Sequence, residues 1–363
     1  MNQKTISGAG EIVAERVGQV GSVTLNRPKA LNALTPGMVA ALDAALIAWA
    51  KDPAVRAVVV RGAPREDGKT PFCAGGDIRL LYEQRGDPDR KVAAGFYAEE
   101  YRLNRRIHNY PKPYVALIDG VVMGGGVGVS LHGSHRVMSE NTLFAMPETG
   151  IGFFPDVGAS WFLPRCPGHY GLYLGLTGAR IGVADAIHLG LATHHVKAAK
   201  IAALDRALRE ADYKHDAHHT VDAVIEDFAE PPPDPPIEAH HRLIERAFSA
   251  PSVEQIVARL EADGGPFASA TLAQLRAKSP LSLKLTFRLL NEANGLSFEE
   301  RMKREYRIAM HCNHGHDFFE GVRAVLVDKD QSPKWRPASL GEATDAMVAG
   351  YFEPPPGGDM TFD

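Results

Sequence analysis

Apolar and polar residues alternate over 12–17, and a second extended run follows over 22–25, after Gly18-Gln19-Val20-Gly21. This pattern predicts two strands joined by a hairpin turn. The spacing then becomes helical: Met38, Leu42, Ala45, Leu46 and Trp49 recur at three- and four-residue steps, predicting a helix over 38–50. An unbroken apolar run at 57–60, closed by Arg61-Gly62, predicts a buried strand. The rhythm returns with a helix over 93–108, a buried strand over 114–118, a short helix opened by the glycines at 124–126, a strand over 136–138 and an extended segment over 141–145. Strand–strand–helix units with short connections argue for an α/β layered domain.

Beyond about residue 180 the strand signal fades. Helical patterns occupy 183–189 and 197–210, and Pro231-Pro-Pro-Asp-Pro-Pro236 is a break that no helix interior accepts. Further helices are predicted over 240–248, 253–263, 267–277, 281–294 and 298–311. The chain therefore reads as an α/β core over 1–190, a mostly helical region over 191–340 and a tail over 341–363. Within it, Pro354-Pro-Pro-Gly-Gly predicts poor order over 353–363. No fixed-period repeat is visible.

Composition narrows the function classes. With 45% hydrophobic and 23% charged residues in 363, the chain has ordinary globular composition. The net charge of −4 removes the basic excess expected of a nucleic-acid binder or of a protein drawn to anionic membranes. No run approaches the ~20 apolar residues that span a bilayer. The opening segment, with Glu11 and Glu15 and no apolar run, resembles neither a signal nor a transit peptide. Cys73, Cys166 and Cys312 are odd in number and far apart, so neither a disulfide framework nor a cysteine zinc site is indicated. The expected compartment is the cytoplasm.

Two glycine clusters carry candidate chemistry. Phe72-Cys73-Ala74-Gly75-Gly76-Asp77 and Val121-Val122-Met123-Gly124-Gly125-Gly126 each end in small residues just before a predicted helix, where free N–H groups gather. Two such ends can donate to one developing oxyanion, worth on the order of 3 kcal/mol per donor. The competing reading is that these glycines only permit tight turns and close packing. A dinucleotide fingerprint fails, because Val129 and Leu131 stand where its last glycine would be. No GxxxxGK[ST] loop occurs, and Ser160 is followed by Trp161-Phe162 rather than the glycine of a nucleophile elbow.

The segment 146–158 sets Glu148 and Asp156 in an apolar, Gly/Pro-punctuated stretch, where burial would raise both carboxyl pKa values and make either a usable base, acid or nucleophile. Alternatively Glu148 begins a helix or answers a buried arginine, and Asp156 caps a helix starting near Val157. The histidines at 215, 218 and 219 and at 311, 314 and 316 lack H-E-x-x-H spacing, so no metal is expected. Lys284 and Arg288, four residues apart on a predicted helix, are either a solvated edge or phosphate anchors.

Read together, the run Leu25–Leu34, Phe72–Asp77 and Asp119–Gly126 resemble the crotonase, or enoyl-CoA hydratase/isomerase, superfamily. The run 146–160 looks like its 3-hydroxyisobutyryl-CoA hydrolase branch, as do Glu305-Tyr306-Arg307, 317–324, Asp328-Lys329-Asp330 and Pro333-Lys334-Trp335. The resemblance covers roughly 12–340. It implies an α/β, crotonase-like spiral of ββα units with a helical C-terminal region.

The resemblance also implies a site. Gly76 and Gly125 N–H would bind a thioester carbonyl, Glu148 would attack it or activate water, and Asp156 would hold a substrate 3-hydroxyl. Lys29, Ala30, Leu31, Ala74, Asp77 and Ile78 would border coenzyme A. Hydratases of the superfamily carry a second glutamate just after the triple glycine, where this chain has Gly128. The implied activity is hydrolysis of 3-hydroxyisobutyryl-CoA, or a related short 3-hydroxyacyl-CoA, in valine catabolism. It needs no cofactor, since coenzyme A is part of the substrate. Enoyl-CoA isomerase or hydratase activity and a non-catalytic acyl-CoA-binding protein are the alternatives. Superfamily members often form trimers, so a homo-oligomer is among the expected assemblies, although the enlarged C-terminal part would cover some of that surface.

Overall fold

The computed structural model describes residues 6–8 and 10–362. Its main sheet is seven-stranded, in the order β1 (Ile6–Gly8), β2 (Ile12–Val17), β3 (Val20–Leu25), β4 (Ala57–Gly62), β5 (Tyr114–Ile118), β7 (His135–Met138) and β9 (His194–His195). β6 (Val121–Met123) and β8 (Leu143–Ala145) form a separate two-stranded ladder. β1, β2 and β3 pair antiparallel, whereas β3 onward runs parallel. The predicted hairpin is present with the register Val17↔Val20, so its turn is Gly18-Gln19 alone and β3 begins two residues earlier than the pattern suggested.

Parallel strands need helical crossovers and are covered on both faces, which is why β4 and β5 read as continuous apolar runs. Val58, Val59 and Val60 are fully buried, as are Val115, Ala116 and Ile118. Each buried valine contributes about 1.5–3 kcal/mol. One side of the sheet packs Val20, Val59, Val115, Leu117 and Val137 against Leu204, Leu208, Val221 and Ile225 of helices Ala198–Glu210 and Ala217–Glu226. The predicted helix over 38–50 is Pro36–Lys51, started by Thr35, whose side chain accepts from Met38 N–H.

The chain divides into two compact units. The first comprises residues 1–76, 102–144 and 181–235, and the second 77–101, 145–180 and 236–363. The sequence pattern suggested successive segments with one boundary near 190; the contacts group differently because the chain leaves and re-enters each unit. The second unit is mainly helical. It contains Tyr170–Thr177, Val253–Asp263, Pro280–Asn291 and Phe298–His314.

The tail is a correction. Within 353–363, where the sequence predicts poor order, Met360 is buried and Asp359 makes a two-bond ion pair with Arg307 at 2.6–2.7 Å; helix Asp345–Gly350 precedes that segment. The prolines and glycines there shape a packed segment, held by an ion pair distant in sequence.

Candidate active site

In the first unit, the loop between β3 and helix Pro36–Lys51 is held by one side chain. Asn32, fully buried, donates to Ala63 and Pro71 carbonyls at 3.1 and 2.7 Å, and its Oδ1 accepts Arg27 N–H at 3.0 Å. Arg27 in turn donates to the Ala33 carbonyl at 2.7 Å and pairs with Glu11 at 3.0 Å. Asn32 and Arg27 thereby fix a loop that belongs to neither strand nor α-helix. Lys29 and Ala30 stand exposed on its 3-10 turn Pro28–Ala30, and Leu31 is half-buried. Ala74 N–H donates to the Leu31 carbonyl at 3.0 Å, so four of the expected coenzyme A contacts, Lys29, Ala30, Leu31 and Ala74, lie on joined loops. Asp77 and Ile78 follow Gly76 in the chain, at the N-cap and first position of helix Ile78–Glu83.

The two glycine clusters meet within this unit. Cys73 N–H donates to Val121 O and Met123 N–H to Cys73 O, both at 3.0 Å. A Cβ placed on Gly75 would lie 3.7 Å from Gly125 N. Gly126 makes this approach possible, since a Cβ there would sit 2.3 Å from the Cys73 carbonyl oxygen. Gly125 opens the four-residue helix Gly125–Gly128, whose leading N–H groups have no intrahelical partner. Among the described residues, neither Gly76 nor Gly125 N–H donates to another protein group. Gly76, the next residue after Gly75, and Gly125 thus lie on two segments that these contacts join.

Glu148 and Asp156 belong to the second unit. Glu148 is the first residue of the 3-10 turn Glu148–Ile151 and is 7% exposed, and its Oε2 is buried with no hydrogen-bond partner. Buried polar atoms are nearly always paired, so this orphan oxygen makes Glu148 a candidate for chemistry. Burial, and then the charge of Asp156, push the Glu148 carboxyl well above its usual range; the Lys278 ammonium opposes them. Lys278 stands over the same turn: a Cβ on Gly150 would be 3.2 Å from Nζ, and Ser279 N–H donates to the Thr149 carbonyl at 3.2 Å. The reading that Glu148 answers a buried arginine finds no such pair among the described residues.

Asp156 is 5% exposed and accepts the Tyr101 hydroxyl at 2.8 Å on Oδ2. It does not cap helix Ala159–Phe162, whose N-cap is Gly158 with no side-chain hydrogen bond. Burial, then the Glu305 charge, raise its pKa. In the same unit Tyr97 stacks on Phe153 at 5.6 Å and Phe153 packs against Phe318 at 5.4 Å.

Sequence reasoning missed Glu100. Adjacent to Tyr101 and 2% exposed, it leaves Oε1 buried without a partner, and burial together with Asp156 raises its carboxyl pKa well above normal. Its signal was faint, because Glu99-Glu100 reads as the solvated edge of a charged helix.

The second half of the motif set is structural. A Cβ on Gly152 would lie 2.1 Å from the Asp317 carbonyl oxygen, and one on Gly321 would lie 2.3 Å from the Ile151 backbone, so the Glu148 turn rests directly on helix His316–Val322. Asp317 accepts Ser279 hydroxyl at 2.6 Å and Arg336 N–H at 2.7 Å, while Arg323 binds Glu320, Asp328 and Asp330. Lys284 pairs with Glu254 at 2.6 Å, and Arg288 pairs with Glu292 at 2.9 Å and covers the Phe352 ring, which favours a structural edge over phosphate anchors. Among the described residues no group of three or more His, Cys, Asp or Glu is placed to hold a metal ion.

The chain belongs to the enoyl-CoA hydratase/isomerase family, whose model matches residues 20–352. It is 47% identical over 347 residues to the 3-hydroxyisobutyryl-CoA hydrolase, mitochondrial, of Danio rerio, covering 94% of this chain and 89% of that protein. It is 43% identical to the Homo sapiens protein of the same name, covering 99% and 92%. A solved structure described as a carnitinyl-CoA dehydratase from Mycobacterium thermoresistibile superposes with a TM-score of 0.89 at 40% identity, covering 98% of this chain and 99% of that one. Another, an enoyl-CoA hydratase from Rhodobacter sphaeroides, gives 0.87 at 38%, covering 97% and 100%. The fold is therefore the crotonase-type α/β fold with a helical C-terminal region.

Proposed function

We propose that this protein hydrolyses the thioester of 3-hydroxyisobutyryl-CoA, or of a related short 3-hydroxyacyl-CoA, to the free acid and coenzyme A. Valine catabolism is the pathway implied by that substrate. The observation that carries the reading is the similarity of 43–47% over nearly the whole chain to proteins of that name. The site supports it. Gly76 and Gly125 N–H are donors for the thioester oxygen, and they stabilise it as charge develops during attack. Glu148 supplies the negative oxygen that attacks the carbonyl carbon; the C–S bond breaks, coenzyme A leaves as thiolate, and water cleaves the resulting anhydride and restores the carboxylate. The second route uses the same groups with Glu148 taking a proton from the attacking water. Asp156 holds the 3-hydroxyl, which discriminates strongly against acyl groups lacking one. Lys29, Ala30, Leu31, Ala74, Asp77 and Ile78 border coenzyme A in this reading, and the reaction calls for no cofactor.

The dehydratase and hydratase descriptions of the two superposed structures favour a second reading, water addition or removal at a double bond. That chemistry needs both a base and a proton donor. Gly128 occupies the position of the second glutamate of hydratases, so hydrolysis is the better supported reading. Assay of free thiol across a panel of short acyl-CoA thioesters decides: coenzyme A release from the 3-hydroxylated members is expected, and an enoyl absorbance change without thiol would overturn the proposal.

Among the described residues Cys73, Cys166 and Cys312 are buried and form no disulfide, which supports a reducing compartment. Among the described residues no helix is long and apolar enough to cross a membrane. Cytoplasmic residence is proposed on the cysteines, although the relatives above are named mitochondrial; cell fractionation with an antibody tests it. Assembly into a homo-oligomer belongs to the same proposal, tested by light scattering.

A further inference from the structure

The glutamate of Glu305-Tyr306-Arg307 has no task in the reaction above, yet it is fully buried on helix Phe298–His314. Among the described residues its carboxylate accepts from one loop: Gly158 N–H at 2.7 Å, Ser160 N–H at 3.0 Å and the Ser160 hydroxyl. From the same helix, Arg301 donates to the Ser160 carbonyl. The gripped loop begins at Asp156. Between Asp156 and the clamp stands Val157 at φ 51°, a left-handed conformation that costs a β-branched residue about 1–3 kcal/mol. Such a backbone persists only where its surroundings over-determine it, and the two amides held by Glu305 do so.

We propose that Glu305 is a positioning residue: by gripping the Gly158 and Ser160 amides it fixes the direction of the Asp156 carboxylate, and it sets a second negative charge behind that group. Tyr101 completes the arrangement from helix Lys91–His108 by donating to Oδ2. The ionisable groups around Asp156 are Tyr97, Glu100 and Tyr101 on that helix, Glu148 on its own loop, and Glu305 and Cys312 on Phe298–His314, with Arg301 beside Glu305. Most of this neighbourhood is acidic, so removing the Glu305 charge makes ionised Asp156 easier to form.

The inference rests on the hydroxyl-holding role of Asp156, so E305Q is measured beside D156G and the double variant. The readout is kcat/KM for a 3-hydroxylated short acyl-CoA and for its unsubstituted counterpart across pH. E305Q is expected to lower the preference for the hydroxylated thioester about tenfold and to move its pH limb down by about half a unit, with no further loss when added to D156G. Equal loss from E305Q in the parent and in D156G, or an unmoved preference and limb, would overturn the role of Glu305 alone. An unchanged preference in D156G would overturn both that role and the one given to Asp156. If E305Q unfolds, S160A replaces it: one donor to Glu305 is lost while the charge stays. About a threefold fall in preference with the pH limb in place is then expected, and no fall overturns the proposal.

Discussion

The Tyr101 hydroxyl donates to Asp156 Oδ2 across 2.8 Å inside the protein, so one oxygen of the carboxylate is already engaged. Replacing Tyr101 by Phe leaves that oxygen buried without its donor, a loss of about 1–3 kcal/mol. The expected result is a roughly tenfold or larger fall in kcat/KM for 3-hydroxylated thioesters. Unsubstituted acyl chains should lose less. Steady-state thiol release on both substrates measures the difference; equal losses would remove the link between Tyr101 and hydroxyl recognition.

In the proposed reaction Glu148 must shed its proton to attack or to take one from water. Because burial and Asp156 raise its pKa, the acid limb of kcat/KM is expected above the ordinary glutamate range, with activity falling as pH drops through it. Glu148→Gln should reduce kcat by about a thousandfold or more, with thermal unfolding close to that of the parent. Single turnovers in labelled water separate the two routes: heavy oxygen in the Glu148 carboxylate supports the anhydride, and its absence after many turnovers supports direct water attack.

Asp156, Glu305, Glu100 and Glu148 all have carboxyl pKa values raised in the folded protein. A raised native pKa means that the folded state binds more protons than the unfolded chain above about pH 4, so stability falls as pH rises through the native value. Asp156→Asn removes one of these acids. Its unfolding midpoint is expected to exceed that of the parent by about 2 °C near about pH 8 and to converge with it near about pH 5. Calorimetry at both pH values checks this, and a gain confined to acid pH would contradict it.

Gly126→Ala puts a Cβ 2.3 Å from the Cys73 carbonyl oxygen, a backbone atom that cannot swing away. The strand-like contact between the two glycine clusters must open. Since one displaced oxyanion donor is worth about 3 kcal/mol, a loss of about a hundredfold in kcat is expected. Gly350→Ala, where a Cβ meets nothing within 4 Å, is the control. Unchanged turnover in Gly126→Ala would separate Gly76 and Gly125 from the chemistry.

What the sequence made legible followed periodicity. β4 and β5 stand close to where their continuous apolar runs set them, and helices Pro36–Lys51 and Val253–Asp263 where one buried face repeats along each. Helix Tyr170–Thr177 escaped notice because all eight of its residues are buried, which erases the period. Helix Ala217–Glu226 hid behind His218-His219, having only Val221 and Ile225 buried. In the site, Glu148 and Asp156 stood out as acids in apolar surroundings, whereas the environment of Glu305 depends on a loop far away in sequence. A signal was nonetheless present: Phe298, Met302, Glu305, Ala309 and Cys312 are spaced three or four apart on one buried stripe, with the glutamate inside it.

The strand order of the main sheet has a consequence for biosynthesis. β1 to β4 lie within the first 62 residues, yet β5 and β7 join only after a detour through 77–101, and β9 is at His194–His195. Parallel partners so far apart in sequence form slowly, since loop closure precedes any pairing. On the ribosome the early strands therefore emerge with β4 lacking its β5 neighbour, an open edge awaiting later translation and in need of shielding from its counterparts on neighbouring nascent chains.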